Sequence, residues 1–399
     1  MYKAHQIQLN PTKAQETFFR KSCGVARFSY NWALSKWKEN YQNGIKKFSY
    51  SLIKELNSIK KTEFVWMQET GKTCSQYAIH NVEAAYKKMW KEKSGYPKFK
   101  KKGVKDSFVA VENYRLYNQS DFKIHIPRLG KVKCFENLRF EGKVNRVTVK
   151  RIADKWFAVV QVQVPDEAPI DYENQVVVGV DLGIKTLATC SDGQVFENPK
   201  ALKSNLKGLK RSQRSLSRKI KGSNNRKKQQ ILVAKKHYKV ACIRKNALHQ
   251  STTNIVNSAT VIVIEDLNVK GMVKNGKLSQ AISDVSFGEF RRQIEYKAAW
   301  QNKSVIVAER WFASSKICSC CGLKKDTLKL SQRTFVCVGC GLIIDRDLNA
   351  SLNLKKYGTD KLFETILTDK ACGERTVEIQ SSSVKHELDT KIEYKQFNT

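Results

Sequence analysis

Apolar and polar positions alternate over residues 2–9, which predicts a short strand ended by Asn10-Pro11. Thr12 is a natural helix N-cap, and Ala14, Phe18 and Phe19 recur behind it at helical spacing. A second helical stretch is predicted from Val25 through Trp37, with Phe28, Trp32 and Leu34 among its apolar positions. Further helices are expected near 51–60 and 72–93, the latter running out through Lys87, Lys88, Lys91 and Lys93 into Ser94-Gly95. From about 107 to 165 the period shortens. FKIHI, KVKCF, VNRVTVKRI and WFAVVQVQV read as antiparallel strands of one small barrel or sheet.

Asp166-Glu167-Ala168-Pro169 reads as a linker, and a different texture follows it. VVVGV (176–180) and VIVI (261–264) are continuous apolar runs, the mark of strands buried on both faces. Between them, residues 200–258 predict two long basic helices broken near Gly222-Ser223-Asn224-Asn225. GEFRRQIEYKAAW (288–300) places Phe287, Phe290, Ile294 and Ala298 on one helical stripe. After Lys356 the periodicity fades, and a polar, loosely ordered tail is expected from about 359 to 399.

Charge narrows the function. The chain carries 73 Lys and Arg against 37 Asp and Glu, a formal net of +36, so self-repulsion works against compactness unless a polyanion is bound. No Asp or Glu occurs between Glu197 and Glu265, although ordinary solvated helices mix signs for i,i+4 support. That hairpin is therefore read as facing nucleic acid, as is GYPKFKKKGVKD (95–106), where Lys98, Lys100, Lys101 and Lys102 surround Phe99. No stretch of eighteen apolar residues exists, and MYKAHQIQLN lacks the apolar core of a signal peptide, so neither membrane nor export is expected.

Two constellations carry chemistry. Cys318-x2-Cys321 and Cys337-x2-Cys340 have the spacing of paired knuckles that close a tetrahedron around one structural zinc, with Gly322 and Gly341 placed for turns of positive φ. Cys320 is a competing fifth thiol, ranked behind Cys321. The remaining cysteines are scattered singly, as in a reducing compartment. Asp181 and Glu265 each stand at the end of a buried strand, where carboxyl ends of neighbouring strands converge on one crevice. In DRDLNA, Asp345 is a natural N-cap and Asp347 lies in the first helical turn. Three converging carboxylates beside a basic surface suit magnesium, and two such ions can clamp the attacking and leaving oxygens of a phosphodiester.

The ordered set VGVDLGIKTLAT, VIVIEDLNVKGM, SSKICSCCG…CVGCG and DRDLNASLNLKKYG resembles the TnpB (OrfB) family of insertion sequences, relatives of type V CRISPR effectors. QLNPTKAQ, GVARFSYNWAL and GYPKFKKK resemble its N-terminal motifs, so the likeness spans most of residues 1–358. It implies an RNA-guided DNA endonuclease that binds a guide RNA from the transposon end, recognises a short motif beside its target DNA and acts as a monomer in the prokaryotic cytoplasm. It implies Asp181, Glu265 and Asp347 as magnesium ligands, with Asp345 left as cap. The implied fold is an α/β RNase H-like RuvC nuclease domain (171–309 and 342–358) with an inserted zinc ribbon (310–341). Before it would come a β-barrel wedge domain (1–10 and 105–170) holding an inserted helical recognition domain (11–104). Tyr50, Lys72 and Gln76 are assigned to reading the adjacent motif, because Gln can bind adenine bidentately and Lys can bind guanine or phosphate. The rival functions are a nuclease-inactive repressor, which should have lost a site carboxylate, and a DNA-joining transposase. A plain zinc-ribbon module would leave the buried strands unexplained.

Overall fold

A computed structural model describes residues 1–45, 48–111, 122–165, 175–328 and 332–372. The chain divides into two compact units, Met1–Asp166 and Glu167–Thr399.

In the first unit, β1 (Tyr2–Asn10) is followed by three helices, α1 (Lys13–Gln42), α2 (Ser49–Ile59) and α3 (Lys72–Glu92). Then come β2 (Ser107–Ala110), β3 (Lys123–Ile126), β4 (Gly130–Cys134), β5 (Lys143–Ile152) and β6 (Lys155–Gln163). The strands form one antiparallel sheet in the order β2-β5-β6-β1-β4-β3. Among the described residues no ladder joins β2 to β3, so the sheet has two edges there and closure into the expected barrel is not seen. Alternation sends Ile7, Leu9, Val147, Val149, Trp156, Ala158 and Val160 inward, and Phe19 of α1 packs on the Trp156 ring at 5.1 Å.

Thr12 caps α1 as its sequence predicts. Its side chain accepts from the Gln15 N–H, and Gln15 answers by accepting from the Thr12 N–H. The two helical stretches expected behind it are one continuous helix through Gly24. An interior glycine costs about 1 kcal/mol, and the burial of Phe19, Val25, Ala26, Ala33 and Leu34 on one stripe outweighs it. The short strand β2 was not legible, because four residues are too few to establish a period.

The second unit opens with β7 (Val177–Leu182), β8 (Thr186–Cys190) and β9 (Val195–Glu197), joined antiparallel. Helices α4 (Ala201–Ser217) and α5 (Asn224–Ser258) form the basic hairpin. Next are β10 (Val261–Glu265), α6 (Val269–Val273), α7 (Ser279–Val285), α8 (Phe287–Trp300) and β11 (Ser304–Ala308). A small ribbon of β12 (Thr334–Val336) and β13 (Ile343–Asp345) then leads into α9 (Arg346–Cys372). The sheet order is β11-β10-β7-β8-β9, with β10 parallel to both β7 and β11.

The two faces of that sheet are covered differently. Val178, Val180, Ile262 and Ile264 pack against Ile255 of α5 and Phe290 and Ile294 of α8. Val177, Val261 and Val263 pack against Leu354 of α9. On that second face, a Cβ added to Gly179 would sit 2.1 Å from the Ser351 carbonyl oxygen and 2.4 Å from the Lys355 nitrogen. A Cβ added to Gly358 would sit 2.2 Å from Val263 Cγ2. Helix α9 therefore rests backbone-to-backbone on β7.

The C-terminal expectation needs correction. Residues 359–372 continue α9 rather than opening a loose tail, and Tyr357 and Leu362 extend its apolar stripe onto the sheet. The remaining tail, 373–399, and the linker around Ala168-Pro169 lie outside the described residues.

The close crossing generates a test. Gly179→Ala should destabilise the chain by about 3 kcal/mol, because the Ser351 and Lys355 backbone can make room only by lifting the helix from the strand. Gly208→Ala, in the interior of α4 with only the flexible Lys236 ammonium within reach at 3.5 Å, should gain roughly 0.5–1 kcal/mol. Denaturant melts of the two variants with unchanged midpoints would contradict this account.

Candidate active site

The register of β7 and β10 brings two carboxylates together. Val180 is paired with Ile264, so Asp181 and Glu265 are the next positions on adjacent parallel strands, about 4.8 Å apart. Both belong to the face that α9 covers. The third carboxylate arrives from the helix: Asp347 lies in the first turn of α9, four residues before the Ser351 that touches Gly179.

The electrostatics record the convergence. Withdrawal from water, then the negative charges of Glu265 and Asp347, raise the Asp181 pKa well above the usual carboxylate range, with Arg346 pulling the other way. Burial raises Glu265 as well, opposed by the hydroxyl of Ser314, which donates to its Oε1, and by Arg346. Arg333 stands 3.9 Å from Asp347. Asp345 behaves as a cap. Its Oδ1 accepts from the Asp347 N–H at 2.9 Å and the Leu348 N–H at 3.1 Å.

The paired knuckles also come together. Sγ atoms of Cys318, Cys321, Cys337 and Cys340 all lie within 4.8 Å of one another, with Cys318–Cys340 at 3.6 Å and Cys321–Cys337 at 3.5 Å. Sulfurs about 2.3 Å from a tetrahedral zinc would sit about 3.8 Å apart, so the donor set fits. The backbone N–H groups of Cys340 and Gly339 lower the Cys337 pKa to about 6, whereas Cys340, despite the Leu342 N–H, is pushed up to about 12 by burial and the neighbouring thiols. Gly322 and Gly341 take φ of 78° and 75°. Cys320 is exposed and outside the cluster.

Several residues in this region were not singled out from sequence. Asn349 Nδ2 donates to the Ile317 carbonyl at 2.7 Å, while its Oδ1 accepts from the Ser319 N–H at 3.0 Å. One turn on, Asn353 Nδ2 donates to the carbonyls of Ser314 and Ile317 at 2.8 and 2.6 Å. Both asparagines are buried. They bind α9 to the first knuckle and to the segment carrying Ser314. The available signal was two asparagines at i,i+4 in an otherwise core-facing run.

The basic hairpin presents Lys203, Lys207, Lys210, Arg211, Arg214, Lys227 and Lys228 to solvent. The start of α4 is held by Asp284, which accepts from the Leu202 and Lys203 N–H groups and pairs with Arg244 at 2.8 Å. In the first unit, Lys98, Lys101 and Lys102 are exposed, whereas Lys100 packs its ammonium 4.1 Å from the centre of the Tyr30 ring. Lys72 and Gln76 occupy successive turns of α3. Tyr50 is exposed on α2, with Lys54 over its ring at 4.9 Å.

Comparison with known proteins follows this division. A family model described as "Probable transposase" (OrfB of IS605) matches residues 158–276. A Cas12f1-like TNB domain matches 287–354, and a model described as a helix-turn-helix domain of OrfB matches 1–46, here a strand and one long helix. The solved chain of a Cas12f1–sgRNA–target DNA complex superimposes with a TM-score of 0.56 at 17% identity, covering 86% of this chain and 83% of that one. The fold is thus similar to that of the Cas12f1 chain.

Sequence relatives place it more closely. "Putative RNA-guided DNA endonuclease InsQ" of Escherichia coli (strain K12) is 32% identical over 392 residues, covering 93% of this chain and 94% of its own. "Putative RNA-guided DNA endonuclease" of Streptomyces pristinaespiralis is 33% identical over 383 residues, covering 93% and 91%. The chain belongs to the OrfB (TnpB) family of insertion sequences.

Two outcomes follow from the geometry. Metal analysis should return about one zinc per chain. Cys340→Ser should release it and lower thermal stability, whereas Cys320→Ser should keep it. Loss in Cys320→Ser with retention in Cys321→Ser would reassign the ligand. The second concerns pH. Asp181 holds its proton more tightly in the folded chain than in the unfolded one, so the folded form takes up protons first as pH falls. Without divalent metal, the Asp181 contribution to stability should therefore decline as pH rises from about 4 through the raised folded value. Asp181→Asn should flatten that decline in metal-free melts, and an identical pH profile would contradict it.

Proposed function

We propose that this chain is an RNA-guided DNA endonuclease of an insertion sequence, cutting with a magnesium-dependent RuvC-type site formed by Asp181, Glu265 and Asp347. The observation that carries the reading is the gathering of three carboxylates, from two adjacent parallel strands and one helix, onto one face of the sheet. The sheet order, three antiparallel strands followed by two parallel ones on the other side, is the order expected of an RNase H-like domain. The four-thiolate knuckle has no open ligand position and takes the structural role of a zinc ribbon.

The carboxylates fit divalent cations. They offer hard oxygen donors, withdrawn from water and mutually repelling, so a cation among them relieves the charge that raises Asp181. Magnesium held there would supply positive charge at the oxygens of a phosphodiester undergoing in-line displacement. The chain's own residues position that chemistry. Ser314 orients Glu265, Asp345 fixes the first turn of α9 so that Asp347 faces the strands, and Asn349 and Asn353 hold the helix against the knuckle.

Guide RNA and target DNA would be held mainly through phosphates, by the α4–α5 hairpin and the 95–106 segment, while base pairing reads the sequence. Lys98, Lys101 and Lys102 are free to take phosphate, and Lys100 contributes through Tyr30. Tyr50, Lys72 and Gln76 are the proposed readers of the adjacent motif. The description "Probable transposase" keeps a DNA-joining reaction as the second reading.

Asp181→Ala, Glu265→Ala and Asp347→Ala should each abolish magnesium-dependent cutting of a guide-matched DNA while leaving guide and target binding intact. Asp345→Ala should lose about 1 kcal/mol of capping and keep measurable activity. Cleavage gels beside gel shifts on the same proteins test this. Joined products would favour the transposase, and wild-type binding without cutting would favour a repressor.

A further inference from the structure

Two consecutive carboxylates, Glu265 and Asp266, stand where strand β10 ends, and their partners differ in kind. Glu265 accepts from the neutral hydroxyl of Ser314, the only hydrogen-bond donor to its side chain among the described residues. Asp266 is held by cations. Arg310 donates to its Oδ2 through Nε and Nη2 at 3.0 and 2.6 Å, and Arg291 donates to its Oδ1 through Nη1 at 3.0 Å. Both Asp266 oxygens are therefore taken by charge-assisted bonds, the strong class of hydrogen bond. A metal ion reaching for Asp266 would have to displace two guanidinium groups, whereas at Glu265 it meets one hydroxyl.

The two cations come from different elements. Arg291 belongs to α8, whose Phe290 and Ile294 pack on the sheet face opposite to α9. Arg310 follows β11, which pairs with β10 as far as Glu265 and Ala308. The segment carrying Arg310 also carries Ser314, so one stretch of chain grips both neighbouring carboxylates. Their charge balance is unequal. Arg291 has a second carboxylate in Glu295 at 2.8 Å, while Arg310 has Asp266 alone among the described residues. Arg310 and Glu265 line one cleft of about 230 Å³. If Asp266 lost its charge, Arg310 would be an unpaired guanidinium in the cleft that holds Glu265.

We propose that Asp266 is a positioning residue for the metal site: it holds Arg310 off Glu265 and so keeps Glu265 open to a divalent cation. The inference rests on the nuclease reading and deepens it, because it says what decides which of two consecutive carboxylates serves the metal. The role is indirect. Asp266 touches neither cation nor substrate, and acts by fixing and neutralising a positive charge beside them. A guanidinium and a metal ion compete for the same Glu265 oxygens and repel each other, so one loose guanidinium is enough to weaken cation binding about tenfold.

The test uses the full chain as wild type, Asp266→Asn, Arg310→Gln, the double variant, and Asp181→Ala. Manganese is titrated in without nucleic acid and followed by electron paramagnetic resonance, with Asp181→Ala as background. Asp266→Asn should bind manganese about tenfold more weakly. Arg310→Gln alone should keep the wild-type affinity, and Arg310→Gln added to Asp266→Asn should restore most of what was lost. In cleavage of guide-matched DNA, Asp266→Asn should need about tenfold more magnesium for half-maximal rate, reach the wild-type rate at saturating metal and bind guide and target normally. A merely structural tie would instead lower the melting temperature in Asp266→Asn and Arg310→Gln alike and leave metal affinity unchanged. Wild-type manganese affinity in Asp266→Asn, or a loss in Arg310→Gln as large as in Asp266→Asn, would overturn the positioning role and leave the nuclease reading in place. Wild-type manganese binding no stronger than that of Asp181→Ala would remove the metal site itself, and with it the reading on which the inference rests.

Discussion

The second unit depends on one contact, the approach of helix α9 to strand β7 at Gly179. Helices usually stand off a sheet by the thickness of the side chains between them. Here a hydrogen atom replaces a side chain, and the helix backbone at Ser351 and Lys355 comes directly onto the strand. Gly358 allows the same approach over Val263 two turns later. The consequence is positional. Asp347 is one turn from Ser351, so the distance from helix axis to sheet decides whether its carboxylate can share a space with Asp181 and Glu265. A methyl group at Gly179 would act on the site by lifting the helix, with no change in any charged residue.

Packing on both faces is what lets the carboxylates gather. Their mutual repulsion and burial raise Asp181, which means that the folded chain holds them in an arrangement they would leave if free. The apolar clusters of α5 and α8 on one face and α9 on the other supply the opposing free energy. Arg346, Arg333 and the Ser314 hydroxyl moderate the repulsion without neutralising it. A site poised in this way favours cations, and its field is opposite to that of a chain with net charge +36.

The cysteine cluster and the carboxylates are mechanically continuous. Strand β13 leaves the second knuckle and ends at Asp345, whose side chain caps α9. The first knuckle is held to the same helix by Asn349 and Asn353, and Asn353 also donates to the carbonyl of Ser314, the partner of Glu265. The four-cysteine cluster is therefore tied to the helix that carries Asp347. Strands β12 and β13 pair in register from Val336–Ile343 to Thr334–Asp345, so the ladder ends at the cap of α9.

Local chemistry made part of this legible in the sequence. The Thr12 cap, the VVVGV and VIVI strands, the cysteine spacing, the glycine turns behind each knuckle and the role of Asp345 each depend on residues within a few positions of one another. Periodicity and capping report such relations directly. Where tertiary packing overrides local preference, the sequence misled. The stretch behind Thr12 and the stretch from Val25 read as two helices and form one, and residues 359–372 looked like a tail and continue α9, because in both places burial of a stripe outweighs weak propensity. Other features depend on which parts of the chain meet. Gly179 and Gly358 as a crossing point, the two asparagines as ties, Lys100 on Tyr30 and the two guanidinium groups on Asp266 have no local signature. Their partners lie tens to well over a hundred residues away, and only the folded chain brings them within contact distance.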